Sequence, residues 1–168
     1  MVDPRIALCL AELEKKTSEL YIKMAEKTNI HYASLIMKFI GYDSLKHSLV
    51  FSEIAKTYGL REESVNNNVC VNILGTFFND AIKLLDGLLK EANEKGVLDE
   101  EDLRKILPKL VSYENGVGEE YFVGFVASVF SQSHEEPSIA VKKVLKLIYE
   151  DEERHSNLVK EILSKIKG

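Results

Sequence analysis

The chain of 168 residues has no tryptophan, three prolines and only two cysteines, Cys9 and Cys70. Neither cysteine belongs to a Cys-x-x-Cys pair, so the sequence indicates no zinc knuckle, no thioredoxin motif and no disulfide framework. Disulfide-poor chains are typical of reducing compartments. We therefore expect a cytoplasmic protein.

Long apolar segments and an excess of positive charge are also missing. The longest apolar run, Phe122–Phe130, is too short to cross a bilayer, and the N-terminus becomes charged too early for a signal peptide. The formal net charge is -5, and the two signs alternate along the chain without forming a basic stripe. These absences predict a soluble, unprocessed protein that binds neither nucleic acid nor membrane.

What the chain does contain is helical periodicity from end to end. Its length suits a single domain over residues 1–168, and 45% hydrophobic content is ordinary for a globular protein. Asp3 followed by Pro4 predicts the start of a first helix that runs to about Thr28. A second helix is expected to stop at Gly59, so that residues 4–58 form an antiparallel hairpin.

A helical crossover is predicted next, over residues 69–107. One helix spans about 69–93, and Asp99 is placed to cap a short helix that ends at Leu107. Pro108 then marks a boundary or a kink.

A second hairpin is predicted over residues 109–167. Its helices run from about 109 to 133 and from 137 to 166, with the sequence SHEEP as the turn and Pro137 at a first helical position. No strand pattern of period two occurs in the sequence. The fold class predicted from these patterns is all-α, with two helical hairpins joined by a long helical crossover.

Two segments a hundred residues apart end alike, YDSLKH at Tyr42–His47 and YEDEERH at Tyr149–His155. In the second segment Glu152 and His155 have the i, i+3 spacing by which one helix offers a carboxylate and an imidazole to a single metal ion. In the first segment the glutamate position holds Ser44.

The chain resembles the ferritin-like superfamily and, within it, the rubrerythrin-like proteins. The resemblance is carried by ELEKKTSELYIKMAEK, DSLKH, GEEYF and EDEERH, one segment in each of the four hairpin helices. It implies an antiparallel four-helix bundle that holds two metal ions through a glutamate from each of the first and third helices and Glu-x-x-His from each of the others. The rubredoxin-like centre of rubrerythrins proper is absent because the chain has no Cys-x-x-Cys pair.

Carried over to this chain, the resemblance implies a set of metal ligands on four helices. On the third helix, the level of Glu152 along the hairpin favours Glu120 or its neighbour Glu119. The spacing between Glu14 and Tyr21, repeated by Glu114 and Tyr121, favours Glu114 instead. We take Glu120 and keep the other two as alternatives. The predicted ligands are Glu14, His47, Glu120, Glu152 and His155.

The function implied is that of a non-haem iron or manganese protein that oxidises Fe(II) with oxygen or peroxide, for peroxide defence or iron handling. Tyr21 and Tyr121 would orient the oxidant. Ser44 removes one bridging carboxylate, so the site is predicted to hold one ion, or two in a lopsided arrangement in which Asp43 compensates in part. A homodimer is expected.

Two other functions stay open at this point. The chain could be a ferritin-like scaffold that has lost its metal and acts as a binding or interaction protein, for which Ser44 is the main indication. A bundle whose cavity binds a small apolar ligand is the third alternative, and no specific residue favours it.

Overall fold

The structure is a computed structural model that describes residues 3–121 and 136–166; within these ranges the side chains of residue 62, of residues 118–121 and of residues 136–138 are not described. The described residues form six α-helices and no β-strand, which confirms the predicted all-α class. The helices are α1 Ile6–Lys27, α2 His31–Thr57, α3 Asn67–Leu74, α4 Thr76–Glu94, α5 Glu100–Tyr121 and α6 Glu136–Ile166.

The first two helices end close to where the sequence predicted. Helix α2 stops at Thr57, and Gly59 follows with φ of 72°, a left-handed conformation that glycine adopts without steric cost. The amide of Leu60 then donates to the carbonyl of Ala55 at 3.2 Å, as expected of a glycine-terminated helix.

The start of α1 differs from the prediction. The helix begins at Ile6, two residues after Pro4, and the Asp3 carboxylate accepts a hydrogen bond from the amide of Arg5 at 3.0 Å. The same carboxylate forms an ion pair with the Arg5 guanidinium. Asp3 therefore fixes the turn that precedes the helix.

The crossover was predicted as one helix over residues 69–93, and this prediction is wrong. Gly75, with φ of 68°, separates α3 from α4, and Asn66 caps α3 by accepting a hydrogen bond from the amide of Val69 at 3.0 Å. The apolar periodicity continues across the break because both helices need a buried face, so it did not reveal the break.

Helix α5 combines two predicted elements. Its start is capped reciprocally: Asp99 accepts from the amide of Asp102 at 3.0 Å, and Asp102 accepts from the amide of Asp99 at 3.3 Å. The cap at Asp99 was predicted, but the helix does not end at Leu107 and continues through Pro108 to Tyr121. The predicted SHEEP turn falls on residues 133–137, of which the structure describes only the last two as the start of α6.

The helix contacts place α1 in the middle of one half of the molecule. Helix α1 packs against α2 and α4 and makes a smaller contact with α3, while α5 packs against α6, and α2 against α6. The short crossover helix α3 also packs against α4. Helices α1 and α2 thus form one packed pair and α5 and α6 another, and α2 joins the two pairs through its contact with α6.

Helices α1 and α2 approach closely at Gly41. A Cβ atom at this position would lie 2.8 Å from Ile22 Cγ1 and 3.3 Å from the carbonyl oxygen of Ser18, closer than side-chain atoms normally pack. The absence of a side chain at Gly41 therefore allows the two backbones to come together one turn away from Ser44.

The two cysteines form a disulfide, contrary to the prediction. Cys9 on α1 and Cys70 on α3 are both buried, and their Cα atoms lie 5.4 Å apart across 61 residues of sequence. Sequence spacing did not indicate the pair because the two helices that carry it meet only in the folded chain. Disulfides are typical of oxidising compartments, so the cytoplasmic location remains a prediction that this pair does not favour.

Membrane-spanning segments were not expected from the sequence. Within residues 3–121 and 136–166, no helix combines the length and the apolar character needed to cross a bilayer. The apolar run Phe122–Phe130 lies outside the described residues.

Candidate metal centre

Two groups of buried carboxylates and imidazoles lie in the interior between α1, α2, α5 and α6. One group is Glu14, His47 and Glu152; the other is Glu114, Glu152 and His155. Within each group the candidate ligand atoms all lie within 4.8 Å of one another. Glu152 belongs to both groups, so one carboxylate connects two adjoining sets of ligands.

Burial of these side chains is nearly complete. The two histidines have no exposed surface, and the three glutamates expose 1–3% of theirs. Isolated charged groups are costly to bury, and the cost is offset only by partners of opposite charge, by hydrogen bonds or by protonation. The buried charges of this cluster must therefore be offset by a bound cation, by ion pairs within the cluster or by protonation of the carboxylates.

The cluster contains every unpartnered polar side-chain atom that is buried in the described part of the chain. There are six, and His47 Nδ1 is among them although it lies only 2.9 Å from Glu152 Oε1. Such atoms are close to one another without the alignment of a hydrogen bond, as metal ligands are when they point at a common ion. The six atoms are Glu14 Oε1, Ser44 Oγ, His47 Nδ1, Glu114 Oε2, Glu152 Oε1 and His155 Nδ1.

The outer nitrogen of each imidazole contacts an aspartate on the opposite helix. His47 Nε2 lies 3.0 Å from Asp151 Oδ2, and His155 Nε2 lies 3.3 Å from Asp43 Oδ2. In a neutral imidazole these contacts place the proton on Nε2 and leave the Nδ1 lone pair directed into the cluster. The two rings stack with their centroids 5.7 Å apart.

Two basic side chains neutralise the outer aspartates. Lys46 Nζ lies 2.8 Å from Asp43 and 2.9 Å from Asp151, and Arg154 contacts the same two carboxylates at 3.0 and 2.5 Å. Burial would raise the pKa of Asp43, but hydrogen bonds from Lys46, His155 and Arg154 outweigh it and hold this pKa at about 2. The outer carboxylates are therefore ionised and orient the imidazoles.

The inner residues have strongly displaced pKa values in the metal-free protein. Burial, followed by the charge of Glu152, raises the pKa of Glu14 well above its ordinary value and that of Glu114 to about 8. Burial would also raise the pKa of Glu152, but its contacts with His155 and His47 lower it to about 2. Burial would lower the pKa of His155, yet the Glu152 carboxylate raises it to about 9. Without metal, a Glu152–His155 ion pair and protonated glutamates thus offset the burial cost.

Tyrosines from α1 and α5 complete the hydrogen bonds on one side of the cluster. The Tyr21 hydroxyl, fully buried, donates to Glu114 Oε1 at 2.6 Å. The Tyr113 hydroxyl lies 2.7 Å from Thr17 Oγ1, which in turn donates to the carbonyl of Leu13. Tyr21 therefore orients the Glu114 carboxylate and leaves Oε2 as its unpartnered atom.

Comparisons with other proteins do not identify this cluster. Neither a protein-family model, nor a curated protein, nor a solved structure matches the chain. The resemblance to rubrerythrin-like proteins therefore remains a prediction that rests on the residues themselves.

The structure brings four of the five predicted ligands together and adds the alternative Glu114. The side chains of Glu119, Glu120 and Tyr121 are outside the described part of the structure, so their predicted roles stay predictions. Glu114 and Glu120 are six residues apart on one helix, about 9 Å at 1.5 Å per residue, which is too far for both to serve one site. Asp43 contacts the outer nitrogen of His155 instead of lying among the inner ligands.

Asp151 and the paired cations were missed in the sequence, although a signal was present. In both segments an aspartate stands four residues before the histidine and a basic residue stands immediately before it, DSLKH in α2 and DEERH in α6. Residues three and four apart share a helix face, so the repeat indicates a common outer network. Tyr113 had no comparable signal.

Proposed function

We propose that this chain is a rubrerythrin-like protein that binds two ions of iron or manganese between α1, α2, α5 and α6. The observation that carries the proposal is the convergence of all six unpartnered buried side-chain atoms of the described residues on one place. The donor types support it, because carboxylate oxygen combined with imidazole nitrogen suits iron and manganese. Three donors surround each position, and Glu152 is common to both.

Iron bound in this site would supply redox chemistry, in which Fe(II) is oxidised and oxygen or peroxide is reduced. The chain's own residues have separate roles around it. Glu14 and His47 would hold one ion, Glu114 and His155 would hold the other, and Glu152 belongs to both groups of ligands. Asp43 and Asp151 keep the imidazoles in the metal-binding tautomer.

Tyr21 has the role in this proposal that the sequence predicted for a tyrosine near the oxidant. Its buried hydroxyl donates to Glu114, a ligand, and so lies beside the centre. A buried hydroxyl at that place can orient Glu114 and share its proton with an incoming oxidant. Tyr121 stays a second candidate for this role from the sequence.

The proposal includes a ferritin-like arrangement of the four helices that carry the ligands. The pairing of α1 with α2 and of α5 with α6, together with the contact between α2 and α6, supports a four-helix bundle of two hairpins. Helices α3 and α4 would then be the crossover, with α4 lying along α1.

The test is the metal content after anaerobic loading with Fe(II) and desalting, measured by elemental analysis. We expect about two ions per chain and none in the double variant Glu152→Gln/His155→Gln, whose helix content should remain that of the wild type by circular dichroism. Added peroxide should change the visible spectrum of the loaded wild type alone.

A matched control changes the same residue types away from the centre, on α6 and α2. Glu150 on α6 and His31 on α2 are both exposed, so Glu150→Gln/His31→Gln should retain the wild-type metal content. Equal metal content in the wild type and in the Glu152/His155 variant would refute the metal centre.

A second function is favoured by one observation, the replacement of a carboxylate by Ser44. Together with the Glu152–His155 ion pair and the protonated glutamates, which offset burial without metal, it supports a ferritin-like scaffold that acts as an interaction protein. Wild-type protein that retains no Fe(II), with stability unaffected by the Glu152/His155 variant, would favour this function over the first.

We propose that the partner of this chain is a second copy of itself, in a homodimer. Leu35, Tyr42 and Leu49 on α2 follow one another at intervals of seven residues and expose 72%, 59% and 61% of their surfaces. Phe39 adds a further exposed ring to the same face. Light scattering should give the mass of two chains, and Leu35→Glu/Leu49→Glu should give the mass of one.

A further inference from the structure

Ser44 stands where the second ligand helix would otherwise present a glutamate. It lies three residues before His47 on α2, as Glu152 lies three residues before His155 on α6, so it faces the cluster. The residue is fully buried, and its Oγ has no hydrogen-bond partner of acceptable geometry, although it lies close enough to Glu14 to lower the pKa of that carboxyl. A buried hydroxyl in this state has a donor available for a group that enters the site.

The charges of the inner cluster do not balance those of two divalent ions. The outer aspartates are already paired with Lys46 and Arg154, which leaves Glu14, Glu114 and Glu152 as the inner anions. Three carboxylates against two divalent cations leave one positive charge in a buried place, where uncompensated charge is costly. One monovalent anion would balance it.

The number of ligands also indicates that one anionic group is missing. Each metal position is supplied by three side chains, one of them shared, whereas iron and manganese with oxygen ligands favour higher coordination numbers. A serine lacks the carboxylate group that a glutamate would extend between the two positions. A small carboxylate would replace this group and restore two oxygen donors.

We propose that the centre, when it holds metal, also binds a small carboxylate anion of the formate or acetate type beside Ser44, which would join the two metal ions and accept a hydrogen bond from Ser44 Oγ. This inference rests on the proposed metal centre and gives the centre a ligand class. The carboxylate of a small organic acid thereby becomes part of the complete site.

The test uses Mn(II), which is stable in air, and sodium acetate as the probe anion. Binding of Mn(II) is measured by titration calorimetry and elemental analysis in a carboxylate-free buffer, with either acetate or chloride added at equal ionic strength. We expect acetate to increase the affinity for the second Mn(II) ion by about tenfold or more, because acetate supplies the missing negative charge. Chloride should have no such effect.

Three variants separate the hydroxyl from the carboxylate. Ser44→Glu should bind the second Mn(II) ion without acetate and lose the acetate response. Ser44→Ala, which adds no charge and so avoids the folding risk of a new buried carboxylate, should keep the response with acetate bound several-fold more weakly. Ser48 is also a buried serine of α2, but its hydroxyl donates to Ala11 O at 2.8 Å, so Ser48→Ala should behave as the wild type.

The outcomes distinguish this inference from the function on which it rests. Two Mn(II) ions bound equally well with acetate or chloride, or an Ser44→Ala variant with unchanged acetate binding, would overturn the carboxylate site and leave the metal centre intact. No Mn(II) bound in either buffer, by the wild type or by Ser44→Glu, would overturn both.

Discussion

The segment 43–47 of α2 and the segment 151–155 of α6 are alike on the outside of the candidate metal centre and different on the inside. Each has an aspartate that contacts the histidine of the other segment, and each has a basic residue that bridges both aspartates. On the inner side, α6 offers Glu152 and α2 offers Ser44. The outer network therefore contacts two imidazoles in the same way, while the inner side chains are unequal, and Glu152 is the one carboxylate that both candidate ligand groups share.

Removal of that carboxylate should have the largest effect. Glu152→Ser gives both segments the pattern Ser-x-x-His and takes away the only residue common to the two ligand groups. We expect the variant to retain neither ion by elemental analysis. The exchange variant Ser44→Glu/Glu152→Ser moves the carboxylate to α2 and should recover binding; recovery would show that the segments are interchangeable, and continued loss would show that they are not.

The pH dependence of stability and of metal binding should have opposite signs. Protonated Glu114, with its pKa raised from 4.5 to about 8, and protonated His155, with its pKa raised from 6.5 to about 9, stabilise the metal-free fold. The stability contributed by protonated Glu114 is fully present below pH 4.5 and is lost as pH rises through about 8. The stability contributed by protonated His155 is fully present below pH 6.5 and is lost as pH rises through about 9. The free energy of unfolding of the metal-free protein should therefore fall over pH 4.5 to 9, first through Glu114 and then also through His155.

Metal affinity should rise over the same pH interval, because ligands must lose their protons before they bind an ion. Calorimetry in buffers of different ionisation enthalpy should detect protons released on binding at pH 7. Binding without proton release, or a metal-free form that becomes more stable as pH rises, would contradict the proposed protonation of the inner residues.

The outer network should have an intermediate effect that is equal on its two sides. Asp43→Asn and Asp151→Asn each remove a carboxylate that orients one imidazole, so we expect each to weaken Mn(II) binding by about 10- to 100-fold. Asp86→Asn is the control, because Asp86 pairs with Lys16 at an exposed site. If one substitution weakened Mn(II) binding much more than the other, the two aspartates would be alike in geometry but not in their effect on metal binding.

The smallest effect is expected from Tyr21→Phe. The variant leaves Glu114 Oε1 without its donor in a buried place, so the free energy of unfolding should fall by about 1–2 kcal/mol in a denaturant titration. Because the lost hydrogen bond lowers the pKa of Glu114, the rise of metal affinity should also move to higher pH. Tyr113→Phe removes a hydroxyl bonded to Thr17 and should change stability alone.

Helical periodicity and local capping signals were enough to predict the class of the fold and several helix ends. Gly59 and Asp99 act through residues within one turn, so their effects can be inferred from adjacent sequence. The break at Gly75 and the Cys9–Cys70 disulfide depend on how α3 packs against α4 and α1, and no local pattern encodes that packing.

The same distinction applies to the site. His47, Glu152 and His155 were predicted from their spacing on single helices. Glu14 was predicted because, counted outward from the turn of the first hairpin, it lies opposite Ser44. The choice on α5 depended on counting along helices across an unknown turn, so the sequence left Glu114 and Glu120 as competitors. Glu114 lies in the cluster because α5 meets α1 where Tyr21 can bond it.

The close approach at Gly41 bears on which half of the molecule can adapt to a bound ion. A side chain adjusts by changing its rotamer, but at Gly41 an added Cβ would lie 3.3 Å from the backbone of both Ile22 and Ser18, and only the Ile22 side chain packs in the gap. The spacing of α1 and α2 at this level is therefore set mainly by backbone atoms. When the centre accommodates ions of different radius, we expect α1 and α2 to keep their spacing and α5 and α6 to shift.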